Sequence, residues 1–383
     1  MPNEVTRLKR WHRILAALVC LAAALPAASS PRNTRNVVLI VADGLRWQEV
    51  FTGADPLLLN DLQAGGSWTP IAELKQRFWN DDPQERRKLL FPFLWGTVAR
   101  EGQLFGNQLE GSRVKVTNGI LISYPGYNEM LTGSPDSRID RNEFGPNPNV
   151  TVFDWLNRIP EFHGKVDVFG TWSALADIFD EQHSGLPVRA GASLVDRTDQ
   201  SERGKLFAEL YETTTRLYGT NPFDGFVHVA LRDHLRTHHP RVLFVDYGDT
   251  DLWAHMGRYD LLLETAHSFD QFVEELWKQM QAIPQYRDNT TFILTADHGR
   301  GSGAVDWKEH GIRYPGSENI WIAIIGPDTP PLGERRNVPD LVQGQIAATV
   351  AALVDQDYRA FRPAAAAPLA DAQRELTGAA AHP

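Results

Sequence analysis

A chain of 383 residues, with 42% hydrophobic and 22% charged side chains, has globular composition and the length to bury one large core with insertions, which excludes a disordered or fibrous chain. Its formal net charge of −10 argues against bulk electrostatic binding to a nucleic-acid polymer or an anionic membrane. The single cysteine, Cys20, excludes an intramolecular disulfide.

At the N-terminus a basic stretch, "RLKRWHR", precedes the apolar run "ILAALVCLAAAL" and then "PAASS". This is the pattern of a secretory signal over residues 1–29, with Ala27 and Ser29 at the small positions before the cut. Residues 1–29 carry Arg7, Lys9, Arg10 and Arg13 against Glu4, so their removal takes the formal charge from −10 to −13. The expectation is a periplasmic or secreted protein with no stable membrane insertion once the signal is gone; an uncleaved anchor is the alternative.

Five apolar runs then read as strands buried on both faces, the parallel kind: "NVVLIVA" (36–42), "KVDVFG" (165–170), "RVLFVDY" (241–247), "TTFILTA" (290–296) and "IWIAIIG" (320–326). Between them lie the helical patterns "RRKLLFPFLWGTVAREG", "KLFAELYETTTRLYG", "FVHVALRDHLRTH", "RYDLLLETAHSFDQFVEELWKQMQ" and "DLVQGQIAATVAALV". The alternation predicts an α/β fold, a doubly wound, mostly parallel sheet with helices on both faces, over residues 30–361. Residues 52–90 and 171–225 exceed ordinary connections and read as lid-like insertions over one sheet edge, and the Ala/Pro-rich tail, 362–383, reads as frayed.

Ligands of open α/β sheets bind beyond the carboxyl ends of the strands. There the chain places Asp43 after the first run, Asp251 and His255 after the third, and Asp297 with His298 after the fourth; His310 follows in "KEHG". Singly, each reads as a helix cap or a satisfied histidine. Together, three carboxylates and three imidazoles on one sheet edge call for divalent metal, with zinc suiting mixed His/Asp ligation and manganese or iron as alternatives. Asp251 and His255 are one helical turn apart and share a face; Asp249 is a rival ligand, read instead as a turn cap. Ser123 opens "SYPGYNEMLTG", where Pro-Gly predicts a turn followed by a helix.

Five motifs in register, "VADG", Ser123 with Pro125, Thr132 and Gly133, "DLWAHMG", "TADHG" and "KEHG", resemble the alkaline phosphatase superfamily, and within it the nucleotide pyrophosphatase/phosphodiesterase branch, over about residues 36–353. The resemblance implies two divalent cations, one held by Asp43, Asp297, His298 and the Ser123 oxygen, the other by Asp251, His255 and His310. It also implies Ser123 as nucleophile, forming a phosphoserine, and Asn142 with backbone N–H groups after Ser123 as holders of the phosphoryl oxygens. The implied substrate is a small phosphate ester, and two dications outweigh the three carboxylates by one charge, which reconciles an acidic chain with an anionic substrate.

Three positions depart from the branch pattern: Ser stands at the nucleophile where Thr is usual, Gly126 where Asn is usual, and Thr250 where Pro is usual before the aspartate. The Cys-x-Pro-x-Arg signature of sulfatases is absent. The expected activity is phosphodiester or nucleotide pyrophosphate hydrolysis; monoester hydrolysis is the alternative, and a noncatalytic metal-binding envelope protein is the alternative of another class. A phosphosugar mutase of the same superfamily is disfavoured by the export signal. Trp172 reads as core or as part of a leaving-group pocket, and Lys308 and Arg300 read as solvated surface residues, with an approach to the phosphate as the alternative.

Overall fold

In the computed structural model the described residues are 32–370, so the expected signal with Cys20, and the tail beyond residue 370, lie outside them. Eight strands make the main sheet: β1 (Asn36–Ala42), β2 (Gln103–Phe105), β3 (Val166–Gly170), β4 (Val188–Ala190), β5 (Val242–Tyr247), β6 (Thr290–Thr295), β7 (Ile322–Ile325) and β8 (Gly333–Glu334). Their spatial order is β8-β2-β7-β6-β1-β5-β3-β4. β1 is parallel to both β5 and β6, and its residue Val41 pairs with Asp246 on one side and Thr295 on the other. This register brings the carboxyl ends of the three central strands level, and the residues after them open on one edge.

The continuous apolar runs are fully buried, as a sheet covered on both faces requires. One expectation is corrected. The run at 320–326 forms β7, which pairs antiparallel with both β6 and β2. An apolar run encodes burial and leaves direction open. A parallel return needs a crossover of a dozen or more residues, usually a helix, whereas among the described residues the only helix between β6 and β7 is the four-residue turn Gly303–Asp306.

The helices that matter for the site are α1 (Ser123–Thr132), α2 (Glu202–Thr213), α3 (Asp224–His234), α4 (Asp249–His255), α5 (Tyr259–Ala282) and α6 (Gln345–Leu353). α5 buries Tyr259, Leu262, Leu263, Ala266, Phe269, Val273, Leu276 and Met280, a stripe at helical spacing that docks it on the sheet. The helix expected through "RRKLLFPFLWGTVAREG" is broken at Pro92, which cannot donate. The chain restarts as a π-turn at Leu94–Val98, where the N–H groups of Phe93 and Leu94 donate to Asp270 at 2.7 and 2.8 Å.

The two long insertions differ. Residues 171–225 supply β4, so they extend the sheet as well as its margin. Residues 52–90 fold into short helices whose Ala64 carbonyl accepts the Trp307 indole N–H at 2.9 Å, bracing the loop between β6 and β7. The tail is ordered further than its composition suggests: Ala365 and Leu369 are buried, and the Ala366 N–H donates to the Gly133 carbonyl at 2.8 Å. No helix among the described residues is long and apolar enough to cross a membrane.

Candidate metal centre and nucleophile

Asp43 follows β1, Asp297 and His298 follow β6, Asp251 and His255 lie a turn apart on α4, and His310 comes from the loop after β6. The fold gathers them into two groups, Asp43–Asp297–His298 and Asp251–His255–His310, whose ligand atoms within each group lie inside 4.8 Å of one another. The groups abut: the rings of His298 and His310 stack with centroids 3.8 Å apart, and His298 Nε2 is 3.9 Å from Asp251 Oδ1. Gly44 makes this crowding possible at φ +61°, because a Cβ there would stand 2.7 Å from Asp251 Oδ1 and 2.8 Å from the Arg300 guanidinium.

The donor set fits a cation. Asp43 Oδ1 and Asp297 Oδ2 are buried and have no hydrogen-bond partner, an arrangement that is costly unless something positive is shared between them. His298 Nδ1 donates to the Gly299 carbonyl at 2.9 Å and His310 Nδ1 to the Leu121 carbonyl at 3.2 Å. A carbonyl can only accept, so each ring keeps its bare lone pair on Nε2, facing the centre. Burial lowers His298 to about 4 and, with the neighbouring His298, His310 to about 2, so both are neutral candidate ligands at ordinary pH. Burial and mutual repulsion push the other way on the acids: Asp43 is raised well above the usual range by burial, then Asp297 and Asp251, and Asp297 is raised to about 7 by burial and Asp251.

Ser123 is the first residue of α1, and its Oγ lies 3.2 Å from His298 Nε2. The expected Pro-Gly turn is absent: Pro125 and Gly126 lie in the first turns of the helix, where proline is tolerated. Gly126 is needed for contact, since a Cβ there would sit 2.4 Å from the Asp297 carbonyl oxygen. Ahead of the serine, Leu121 takes φ +63°, a conformation strained for a branched residue. The turn is held by Asn118 Oδ1, which accepts from Ile120 and Leu121, and by Glu129, which accepts from Thr117 and Asn118. The Leu121 carbonyl that results is the one that holds His310.

Asn142 borders the same cavity as Ser123, and its Oδ1 accepts the Tyr124 N–H at 3.0 Å. This corrects the expectation of backbone donors after the serine. The Tyr124 N–H is spent on Asn142, Pro125 has none, and the Gly126 N–H donates to Ile122. The Asn142 amide nitrogen is the donor that remains for a bound oxygen.

Other residues escaped the sequence reading. Arg300, expected at the surface, is buried and ion-paired to Asp251, and its Nε donates to the Trp307 carbonyl at 3.1 Å. Burial raises Asp251, but Arg300 and the adjacent histidines outweigh that and hold it well below the usual range. The Tyr127 hydroxyl lies 2.5 Å from Asp246 Oδ1 and 3.2 Å from Asp43 Oδ2, and Thr171 Oγ1 donates to Asp246 Oδ2 at 3.1 Å. An aspartate inside the apolar run "RVLFVDY" was the available signal for Asp246. Asp249 belongs to neither ligand group; its Oδ2 accepts the Asp224 N–H at 3.0 Å, and Asp224 Oδ1 accepts the N–H groups of Gly248 and Asp249, so the pair ties α3 to α4.

Beside the centre lies a cavity of about 350 Å³, bordered by Asp43, Ser123, Asn142, Asp251, His255 and His310 and also by the aromatic Trp172, Tyr218 and Phe223. The insertion 171–225 supplies those aromatic residues; residues 52–90 do not border the cavity. Trp172 is thus a cavity residue and only partly buried.

Comparison with known proteins agrees with this architecture. The description "Metalloenzyme superfamily" matches residues 226–352, the segment that carries Asp251, His255, Asp297, His298 and His310. No curated protein matches the chain in sequence. Among solved structures it is similar to wild-type alkaline phosphatase PafA, at 10% identity and TM-score 0.57, covering 90% of this chain and 100% of that one. It is similar also to the lipoteichoic acid synthase LtaP of Listeria monocytogenes (11% identity, TM-score 0.54, covering 86% and 74%) and to an alkaline phosphatase superfamily protein of Vibrio parahaemolyticus (15%, 0.50, covering 86% and 68%). The chain has the fold of the alkaline phosphatase superfamily. Within that fold it carries two adjoining groups of candidate metal ligands and a serine beside them.

Proposed function

We propose that the protein is an exported two-metal hydrolase of phosphodiesters, acting through a phosphoserine on Ser123. The observation that carries this reading is the approach of the Ser123 hydroxyl to 3.2 Å from His298, at the seam of two ligand triads. Asp43, Asp297 and His298 would hold one cation, and Asp251, His255 and His310 the other; zinc suits the set, with manganese or iron as alternatives. Cations bound there supply Lewis-acid stabilisation of the oxygens entering and leaving phosphorus.

The protein's own groups account for the rest. α1 aims its positive end at Ser123, favouring negative charge on Oγ. The Asn142 amide is fixed through Tyr124 and offers its NH₂ group to a nonbridging oxygen. Attack forms the Oγ–P bond and breaks the bond from phosphorus to the leaving alcohol, which departs with a proton. Water then attacks phosphorus, and Ser123 regains its hydroxyl. Diesters are favoured over monoesters and pyrophosphates by charge: among the described residues no lysine or arginine borders the cavity, so beyond the two cations no positive side chain there would receive the second negative charge of a monoester or the anionic leaving group of a pyrophosphate.

Serine in place of threonine favours a second reading, monoester hydrolysis of the alkaline phosphatase type. Metal analysis of the purified protein, followed by rates on paired nitrophenyl mono- and diesters, separates the two. A higher kcat/KM for the diester is expected, and the reverse order would replace the first reading with the second. Inertness toward both with metal bound would leave a noncatalytic metal-binding protein. Export is tested by the N-terminus of the protein recovered from the cell envelope or medium, expected at residue 30.

A further inference from the structure

We propose that the cavity beside Ser123 is a subsite for an alcohol group carrying a positive charge, of the ammonium or trimethylammonium kind. The inference rests on the phosphodiesterase reading and adds the substrate class to it.

Three aromatic residues border the cavity, Trp172, Tyr218 and Phe223, and two of them are seated on the ligand set itself. Trp172 packs on Tyr127, with ring centroids 6.1 Å apart, and the Tyr127 hydroxyl reaches Asp43. Phe223 stacks on Trp253 at 5.9 Å with planes 8° apart, and Trp253 lies on α4 between Asp251 and His255. The aromatic wall therefore stands at a fixed distance from the point where phosphorus must sit. The segment bearing Tyr218 is tied down as well, by the Ser173 N–H donating to Asn221 Oδ1 at 3.1 Å and by the Tyr211 hydroxyl donating to the Thr220 carbonyl at 2.5 Å.

Charge decides what such a wall receives. Glu143, next to Asn142, borders the cavity, is exposed, and forms no ion pair among the described residues. No lysine or arginine borders the cavity, so no cationic side chain of the lining offsets it. An anionic or nucleotide-like group meets repulsion there. A neutral alkyl group gains contact with the rings and nothing from the carboxylate. A cation gains both, through the negative ring faces and through Glu143. Its position also suits a zwitterionic diester, whose phosphate lies on the ligand side and whose ammonium lies a short linker away.

The test compares two diesters that differ only in charge: methyl phosphocholine and its carbon isostere, with tert-butyl in place of trimethylammonium. Their disappearance on the metal-loaded enzyme is followed by phosphorus NMR. A kcat/KM preference of about tenfold for the choline ester is expected. In E143Q and W172A the choline ester should lose several times more kcat/KM than the isostere, so a general loss of folding cannot imitate the result. Equal rates, or a preference for the isostere, overturn the subsite and leave the phosphodiesterase reading standing. If both diesters are inert while methyl phosphate is cleaved, the phosphodiesterase reading falls instead. The subsite is then judged by binding, from tryptophan fluorescence with phosphocholine and its carbon isostere: tighter binding of phosphocholine supports it, and equal or absent binding overturns it.

Discussion

Ser123 Oγ stands 3.2 Å from His298 Nε2, and these two residues, 175 positions apart in the chain, lie on two elements packed against each other. α1 meets the strand-end loop after β6 where Gly126 lies against the Asp297 carbonyl, so the hydroxyl and the ligands are positioned by the same packing. Ser123→Ala removes one oxygen and disturbs none of that. Turnover should fall by on the order of 10⁴-fold or more while both cations are retained. Steady-state rates with metal content by mass spectrometry check it, and a variant within tenfold of wild type would end the nucleophile assignment.

The buried pair of Arg300 and Asp251 supports a second expectation. Arg300 is 1% exposed, and besides Asp251 it donates to the carbonyls of Trp307 and Lys308. Arg300→Met leaves a mostly buried carboxylate beside the other acids without its counter-charge, at a cost of about 3 kcal/mol in the metal-free protein. Bound cations replace part of that charge, so the loss should shrink in the metal-loaded protein. Urea denaturation with and without metal measures both values; an equal loss in the two states would mean that Arg300 serves the loop and not the charge.

In the proposed two-metal site, protons and cations would compete for the same carboxylates. His298, lowered to about 4, and His310, lowered to about 2, are already neutral in mildly acidic solution, so they do not set the competition. Asp297, raised to about 7, does, together with Asp43. Its folded value lies above the usual 3.8, so in the metal-free protein its contribution to stability is full below 3.8 and is lost as pH rises toward about 7. A cation reverses the sign, because it requires the carboxylate. Metal affinity from chelator competition should therefore climb as pH approaches 7, with proton release on binding, and level off above it. A flat profile over that range would show that Asp297 is not a ligand.

The sequence carried the main features of the candidate centre because its candidate ligands sit at strand ends and one helical turn apart, where local pattern and position coincide. Asp43 directly follows β1, Asp297 and His298 come within three residues of the end of β6, and Asp251 and His255 are separated by one turn of α4. What stayed hidden depends on contacts between distant segments. Arg300 looks like any charged residue in a glycine-rich loop until Asp251 is brought beside it. The direction of β7 follows from what lies between it and β6, and its own residues say nothing of it. The Pro-Gly pair after Ser123 has the signature of a turn, and only the Asp297 carbonyl against Gly126 explains why glycine stands inside a helix.

Tyr127 is the residue whose role was least visible and whose test is the cleanest. Its ring is wholly buried, in contact with Trp172 and Phe244, and its hydroxyl lies between Asp246 and Asp43. A phenol in that place can donate one hydrogen bond, and it limits the repulsion between two carboxylates while orienting Asp43. Tyr127→Phe keeps the ring and removes the donor. The packing is unchanged, so the thermal midpoint should move little, but Asp43 loses the group that aims it, and affinity for the cation held with Asp297 and His298 should fall about 10- to 100-fold. Because the second candidate ligand group, Asp251, His255 and His310, does not include Asp43, the loss should be confined to one of the two proposed sites. Chelator titration resolving two equivalents of metal shows this directly. Unaltered affinity at both sites would make Tyr127 a packing residue whose hydroxyl merely finds a partner.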